Sequence, residues 1–251
     1  MKINNLENIS ARAKEAESYN QQFEKKSVEM ILVWAAEKFA GKIVFACSFG
    51  AEDMVIMDLI YKYKLPIEVI TLDTGRLPGE TYDLIEATEK KYGLAISVYY
   101  PQTSTVEKLT SEKGLFSFRE SIANRKECCQ IRKIEPLRRG LAGKKAWITG
   151  IRKDQSVTRT IAQKMEFDEA NQLFKINPLL DWSEEMIWEY IKEKKVPYND
   201  LHEQGYPSIG CQPCTRAIKK GEDIRAGRWW WENPDQKECG LHGYCKVSKK
   251  S

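Results

Sequence analysis

The sequence has no apolar stretch longer than Met30 to Ala36. A membrane-spanning helix needs roughly 18 such residues, so no span is expected. The first ten residues carry one lysine and no apolar core, so they do not read as a secretory signal. Charge of one sign is also scarce, with 40 Lys and Arg against 36 Asp and Glu for a net +4, which does not demand nucleic acid as a partner. There are only two histidines, His202 and His242, which excludes a zinc finger built on a His-x-His pairing. With 42% hydrophobic and 30% charged residues the chain can still bury a core, and disorder is not expected. These balances describe a soluble protein expected in the cytoplasm.

Cysteine, in contrast, is plentiful. Seven of them, an odd number without a secretory signal, argue against a disulfide framework and for metal or thiol chemistry in a reducing compartment. Basic residues gather near some of them, at Arg125, Lys126, Arg132, Lys133, Arg138 and Arg139 and again between Arg216 and Arg228. Such clusters suit a small anionic substrate; solvated helix faces are the alternative.

Periodicity predicts helices over Leu6–Phe23 and Ser27–Phe39, then alternation. Strands are expected at Lys42–Cys47, Ile67–Leu72, Ala95–Tyr99 and Lys145–Thr149. Helices are expected at Glu52–Tyr63 and Pro78–Tyr92, with a helical stretch holding Cys128-Cys129. Glu166–Ile176 reads as a hairpin around residues 169–172, and Ser183–Lys194 as a capped helix with Glu185 at or near its third position. The fold class is therefore α/β, a mostly parallel sheet with helices on both faces, followed by an irregular carboxyl-terminal tail. The expected parts are a helical segment at 1–40, the α/β domain at 41–214 and a tail at 215–251.

In such a sheet ligands bind beyond the carboxyl ends of the strands. Three strand ends qualify: Cys47-Ser-Phe-Gly-Ala-Glu-Asp53, Leu72-Asp-Thr-Gly-Arg76, and Thr149-Gly-Ile-Arg152 running on to Arg159. The first is a strand-glycine-helix turn whose amides, with the Ser48 hydroxyl, could take an anion, an ordinary strand-helix turn being the favoured alternative. Gly150 permits close backbone approach, and Arg152 and Arg159 suit phosphate or sulfate.

Cys128-Cys129 and Cys211-x-x-Cys214 supply four thiolates. Adjacent helical residues point about 100° apart, so both reach one centre only if that centre is large. A cubane iron–sulfur cluster satisfies this, each iron taking its own thiolate; a single zinc ion remains the alternative. Cys239 lies between Lys237 and His242 in a polar stretch, where cations favour the nucleophilic thiolate. Trp229–Trp231 read as packing anchors for the tail.

Four motifs together resemble the assimilatory adenylyl-sulfate (APS) reductases, the iron–sulfur branch of the phosphoadenylyl-sulfate (PAPS) reductase family. They are Cys128-Cys-x-x-Arg-Lys133, Ile209-Gly-Cys-x-Pro-Cys-Thr-Arg216, Arg225-x-Gly-Arg-Trp-Trp-Trp231 and Glu238-Cys-Gly-Leu-His242. The resemblance implies an adenine nucleotide α-hydrolase-like fold and a 4Fe-4S cluster on Cys128, Cys129, Cys211 and Cys214. It implies that Cys239 attacks adenosine 5′-phosphosulfate, releasing AMP and forming an S-sulfocysteine from which thioredoxin or glutaredoxin frees sulfite. Lys133, Arg225, Arg228 and His242 would hold the phosphosulfate, with Ser48, Leu72, Gly150 and Arg159 around the AMP part. Arg76 and Arg152 complete the expected binding set. Cys245 is not required by the motif; it reads as a bystander, or as a resolving thiol for Cys239. A homo-oligomer is left open.

Two other classes fit the sequence less well. A tRNA sulfur transferase would carry Ser-Gly-Gly-x-Asp-Ser where this chain has Ser48-Phe-Gly-Ala-Glu-Asp53. A cysteine-metal module for nucleic acid would need more basic and aromatic interleaving than is present.

Overall fold

A computed structural model describes residues 2–155 and 159–233. Among these residues six strands form one sheet: β1 (Ile43–Cys47), β2 (Glu68–Leu72), β3 (Ser97–Tyr99), β4 (Ala146–Ile148), β5 (Met165–Asp168) and β6 (Leu173–Ile176). Their order is β3-β2-β1-β4-β6-β5. Every pair is parallel except β5 with β6, which is the expected hairpin and forms one edge.

The α-helices among the described residues are α1 (Lys2–Phe23), α2 (Val28–Lys38), α3 (Ala51–Lys62), α4 (Gly79–Tyr92), α5 (Thr103–Lys113), α6 (Ile122–Cys129), α7 (Glu135–Leu141) and α8 (Glu184–Lys194). Ser27 and Ser183 cap α2 and α8, each hydroxyl accepting from the amide three residues on. Glu185 is the second helical residue rather than the third, so the cap is Ser183 alone.

The central strands are apolar without alternation because both faces are covered. Ile43, Phe45 and Cys47 of β1 join one cluster with Phe23 of α1, Ile31 and Leu32 of α2, Met54 of α3 and Ile187 of α8. Val44 joins a second cluster with Ile70, Trp147 and Leu137 and Leu141 of α7. Phe23, Ile31 and Leu32 are fully buried, so the amino-terminal helices are part of the same core as the sheet. Each such side chain contributes roughly 1.5–3 kcal/mol on burial.

From β1 the chain crosses to β2 and β3 on one side, and from β4 to β6 on the other. The β1–β4 boundary is thus the point where the strand order reverses, and crevices for ligands form outside the strand ends there.

Candidate active site

At that reversal lies a cavity of about 220 Å³. Of the residues anticipated from the sequence, Ser48, Leu72, Lys133, Gly150, Arg159, Arg225 and Arg228 line it. The three strand-end loops do face one crevice. Its two ends differ in charge.

The turn after β1 holds the first end. Phe49 has φ 61°, a left-handed conformation uncommon outside glycine, and its ring is buried. This turn aims the Ser48 amide and hydroxyl at Asp53, which accepts from them at 2.5 Å and 2.6 Å. Burial pushes the Asp53 carboxyl up to about 6, with the Ser48 donors and the Gly150 amide acting the other way. Glu52 lies beside it and accepts from Arg152 Nε at 2.8 Å. The anion reading of this turn is therefore corrected. Two carboxylates already occupy the amino terminus of α3, and the Ser48 proton is committed to Asp53. This end suits neutral, hydroxyl-bearing groups.

Arg152 is not among the lining residues. It is buried, paired with Glu52, and its Nη1 reaches the Trp182 carbonyl, so it holds Glu52 in place. Arg159 does line the cavity and donates to Gln155.

The other end is cationic, with Lys133, Arg225 and Arg228. Arg228 is buried against the Trp229 ring, donates to the Ser208 hydroxyl and the Ile209 carbonyl, and leaves its Nε without a partner. Gly210 makes room for it, since a Cβ there would overlap the guanidinium.

A second cavity of about 20 Å³ is lined by Cys128, Cys129, Cys211 and Cys214 together with Arg76, Arg132, Lys133, Arg228 and Trp229. Lys133, Cys211, Arg228 and Trp229 line both cavities and form a wall between them. Arg76 thus belongs to the cysteine side rather than to the larger cavity.

Local backbone devices bring the four thiols together. After Cys129 the helix opens into one π-helical turn, Gln130–Ile134, in which the Glu135 amide donates to the Gln130 carbonyl. Pro136 follows at the start of α7 and lacks the amide that would close an α-turn on Arg132. Opposite, the 3₁₀ turn Gln212–Cys214 is pinned by Gln212 N–H to the Arg76 carbonyl at 2.8 Å and by Trp229 N–H to the Cys214 carbonyl at 3.1 Å. The Thr74 hydroxyl lies 3.2 Å from Cys211 Sγ.

Burial pushes the Cys128 and Cys214 thiols up, Cys214 to about 12 with Cys211 nearby. For Cys211 burial is also the largest influence, but Lys133, Thr74, Arg228 and Arg132 outweigh it and hold the thiol low. Cys47 faces the core, is likewise pushed up by burial, and is structural.

Among the described residues no three His, Cys, Asp or Glu side chains converge as a single-ion site requires. Arg76 Nη1, Arg132 Nε and Arg228 Nε are buried without partners on the walls of the cysteine cavity. Four thiols ringed by buried cations fit a polynuclear, anionic group held by separate ligands. Cys239, His242 and Cys245 lie outside the described residues, as do Ser156–Thr158.

The sequence reading gave no role to Asp53, Glu52, Thr74 or His202, all of which line the larger cavity. The acidic pair lies in the turn after β1, and its readable signal is its position in the first turn of a helix. Arg125 and Arg132 were grouped with a substrate-facing or solvated cluster, yet both are buried in structural bonds, to Glu232 and to the Thr74 carbonyl.

A family model described as "Phosphoadenosine phosphosulfate reductase domain" matches residues 42–217. The "Adenosine 5′-phosphosulfate reductase" of Allochromatium vinosum is 58% identical over 200 residues, covering 80% of this chain and 78% of that protein. One of the same name from Burkholderia cepacia is 52% identical, covering 80% of each. The crystal structure of phosphoadenylyl-sulfate (PAPS) reductase from Candida auris, a phosphate complex, is 29% identical with a TM-score of 0.70, covering 82% of this chain and 97% of that one. Candida glabrata FMN adenylyltransferase shares the fold alone, at 17% identity and TM-score 0.55 over 92% of this chain and 78% of its own. The architecture is adenine nucleotide α-hydrolase-like, as the resemblance implied.

Proposed function

The chain belongs to the phosphoadenosine phosphosulfate reductase family, and we propose that within it the protein reduces adenosine 5′-phosphosulfate to sulfite and AMP for sulfate assimilation in the cytoplasm. The observation that carries this reading is the wall shared by the two cavities. Lys133 and Arg228 stand where a ligand in the larger cavity meets the cysteine side. The nucleoside would lie at the Glu52–Asp53 end and the phosphosulfate against Lys133, Arg225 and Arg228, with His242 joining from the tail. Fixed cations there neutralise oxygens that would otherwise repel an incoming thiolate.

Cys239 supplies that thiolate. It lies six residues beyond Asn233, at most about 22 Å of chain from that residue and about 29 Å from Trp231. Its sulfur attacks the sulfonyl sulfur, the sulfur–oxygen bond to phosphate breaks, and the electron pair leaves with AMP. A dithiol of the thioredoxin or glutaredoxin type then attacks the Cys239 sulfur, expels sulfite as a two-electron-reduced product, and becomes a disulfide as Cys239 is restored.

Cys128, Cys129, Cys211 and Cys214 would hold a 4Fe-4S cluster, which would supply fixed charge and rigidity beside Lys133. The unpartnered Arg76, Arg132 and Arg228 nitrogens support that fit.

The decisive experiment is an anaerobic assay for sulfite from the 5′-phosphosulfate and from its 3′-phosphorylated form, using wild type and Cys239→Ser. Wild type should form sulfite and carry an adduct of about 80 Da on Cys239 before the dithiol is added. Unchanged sulfite production by Cys239→Ser would overturn the mechanism.

A further inference from the structure

His202 is a titratable cavity-lining side chain that the proposed chemistry leaves unused. It sits in the 3₁₀ turn Asp200–Gln204, whose preceding residue Asn199 accepts from the Leu201 amide and donates its Nδ2 to Thr81 Oγ1 on α4 at 3.0 Å. Its ring packs edge-on against Trp188 of α8, with centroids 5.0 Å apart and planes at 81°. Two elements of the scaffold thereby fix the imidazole at the cavity.

Yet both ring nitrogens are buried and neither makes a hydrogen bond of normal geometry to protein. Buried polar atoms almost always have partners, so a fixed ring in the cavity wall whose nitrogens have only the Tyr206 backbone nearby marks a place for a ligand. The charges that face the ring are Glu52 and Glu203, and the Tyr206 carbonyl lies near it. Burial outweighs them and holds the ring's pKa below the ordinary histidine range. At neutral pH it therefore offers one donor and one acceptor. Glu52, the charge with the largest effect on the ring, places His202 on the carboxylate side of the cavity. A hydroxyl, both donor and acceptor, matches that pairing of imidazole and carboxylate.

We propose that His202 is a substrate-binding residue whose imidazole hydrogen-bonds a ribose hydroxyl of the nucleotide. This rests on the functional reading above for the identity of the nucleotide, but it concerns binding alone, so its test does not need turnover. The equilibrium affinities of AMP, 2′-deoxy-AMP and 3′-deoxy-AMP are measured for the holoenzyme, His202→Phe and His202→Gln. Phe keeps a ring against Trp188 and removes both nitrogens.

His202→Phe should weaken AMP about 5- to 10-fold, as loss of one neutral hydrogen bond does. It should not weaken further the deoxy analogue that lacks the partner hydroxyl, and His202→Gln should recover part of the loss. Wild-type affinity in His202→Phe, or an equal loss for all three nucleotides, would overturn the proposal. A second measurement needs no change at position 202. With two histidines in the chain, comparison with His242→Asn assigns the His202 ring-nitrogen resonances, and AMP should shift them. Absence of any shift at saturation would also overturn it. Failure of the parent reading looks different: AMP binds and His202 responds, but wild type yields no sulfite from adenosine 5′-phosphosulfate.

Discussion

Arg125 and Glu232 form a bidentate ion pair, 2.7 Å and 2.9 Å, with side chains 1% and 3% exposed. It joins α6, which carries the cysteine pair, to the segment that leads toward Cys239. The Arg125 guanidinium also lies 4.7 Å from the Trp229 ring centre.

Glu232→Ala should therefore be among the most damaging substitutions outside the cavities. Removing one partner of a buried pair typically costs about 3–5 kcal/mol, or roughly 10 °C in melting temperature for a chain this size. Arg125→Met with Glu232→Leu should recover most of that loss. Thermal unfolding of the three proteins checks this, and a Glu232→Ala melt within about 2 °C of wild type would contradict it.

Gly150 allows the β4 turn to approach α3. A Cβ there would overlap the Asp53 carboxylate and stand 3.1 Å from Glu52 Cβ. Gly150→Ala should lower kcat/KM about 100-fold by displacing the end of the cavity proposed for the nucleoside, with iron content unchanged. Steady-state kinetics with iron analysis on one preparation measure both.

Asp53 makes stability depend on pH. Its carboxyl is raised to about 6 when folded, while in the unfolded chain it ionises near 3.9. Between those values the folded state holds a proton that the unfolded state has lost, so this group's contribution to stability falls as pH rises from about 4 to about 6. Against Asp53→Asn, which has no such proton, wild type should lose about 3 kcal/mol across that window. Urea titrations at pH 4, 5, 6 and 7 test it; parallel curves for the two proteins would refute it.

If the four thiols hold the proposed cluster, removal of its iron should destabilise the protein as well as inactivate it. Arg76, Arg132 and Arg228 would then keep buried nitrogens with no anion to meet. At about 1 kcal/mol for each, the melting temperature should fall roughly 10 °C on chelation and return with iron and sulfide. Calorimetry of the brown and bleached forms, paired with iron and acid-labile sulfide assays, follows this directly.

The strand and helix order was legible because the central strands are apolar runs between turn residues and the helices carry periodic faces. Ser27 and Ser183 declare their helix starts in the sequence. Lys133, Arg225 and Arg228 were legible from their motifs. What was not legible depends on contacts far apart in the chain. Arg125 looks like any helix arginine until Glu232, 107 positions on, is beside it. His202 looks solvated until Trp188 and Thr81 enclose its turn. Asp53 reads as an ordinary acidic residue in the first turn of a helix, and its burial, with Glu52 adjacent, raises its pKa. Pro136 did carry a readable signal, an amide missing from the middle of a helical run.

That missing amide has a mechanical consequence. A helix is a screw thread, and the π-turn at Gln130–Ile134 inserts about one residue of phase, near 100°, between α6 and α7. The sheet-facing side of α7 is locked by Leu137 and Leu141, so the whole offset is expressed on the α6 side. Deleting Gln130 would restore an even thread and swing Cys128 and Cys129 out of alignment while leaving the packing of α7 intact. Here the spacing of two thiols is tuned by the pitch of the backbone rather than by the choice of any side chain.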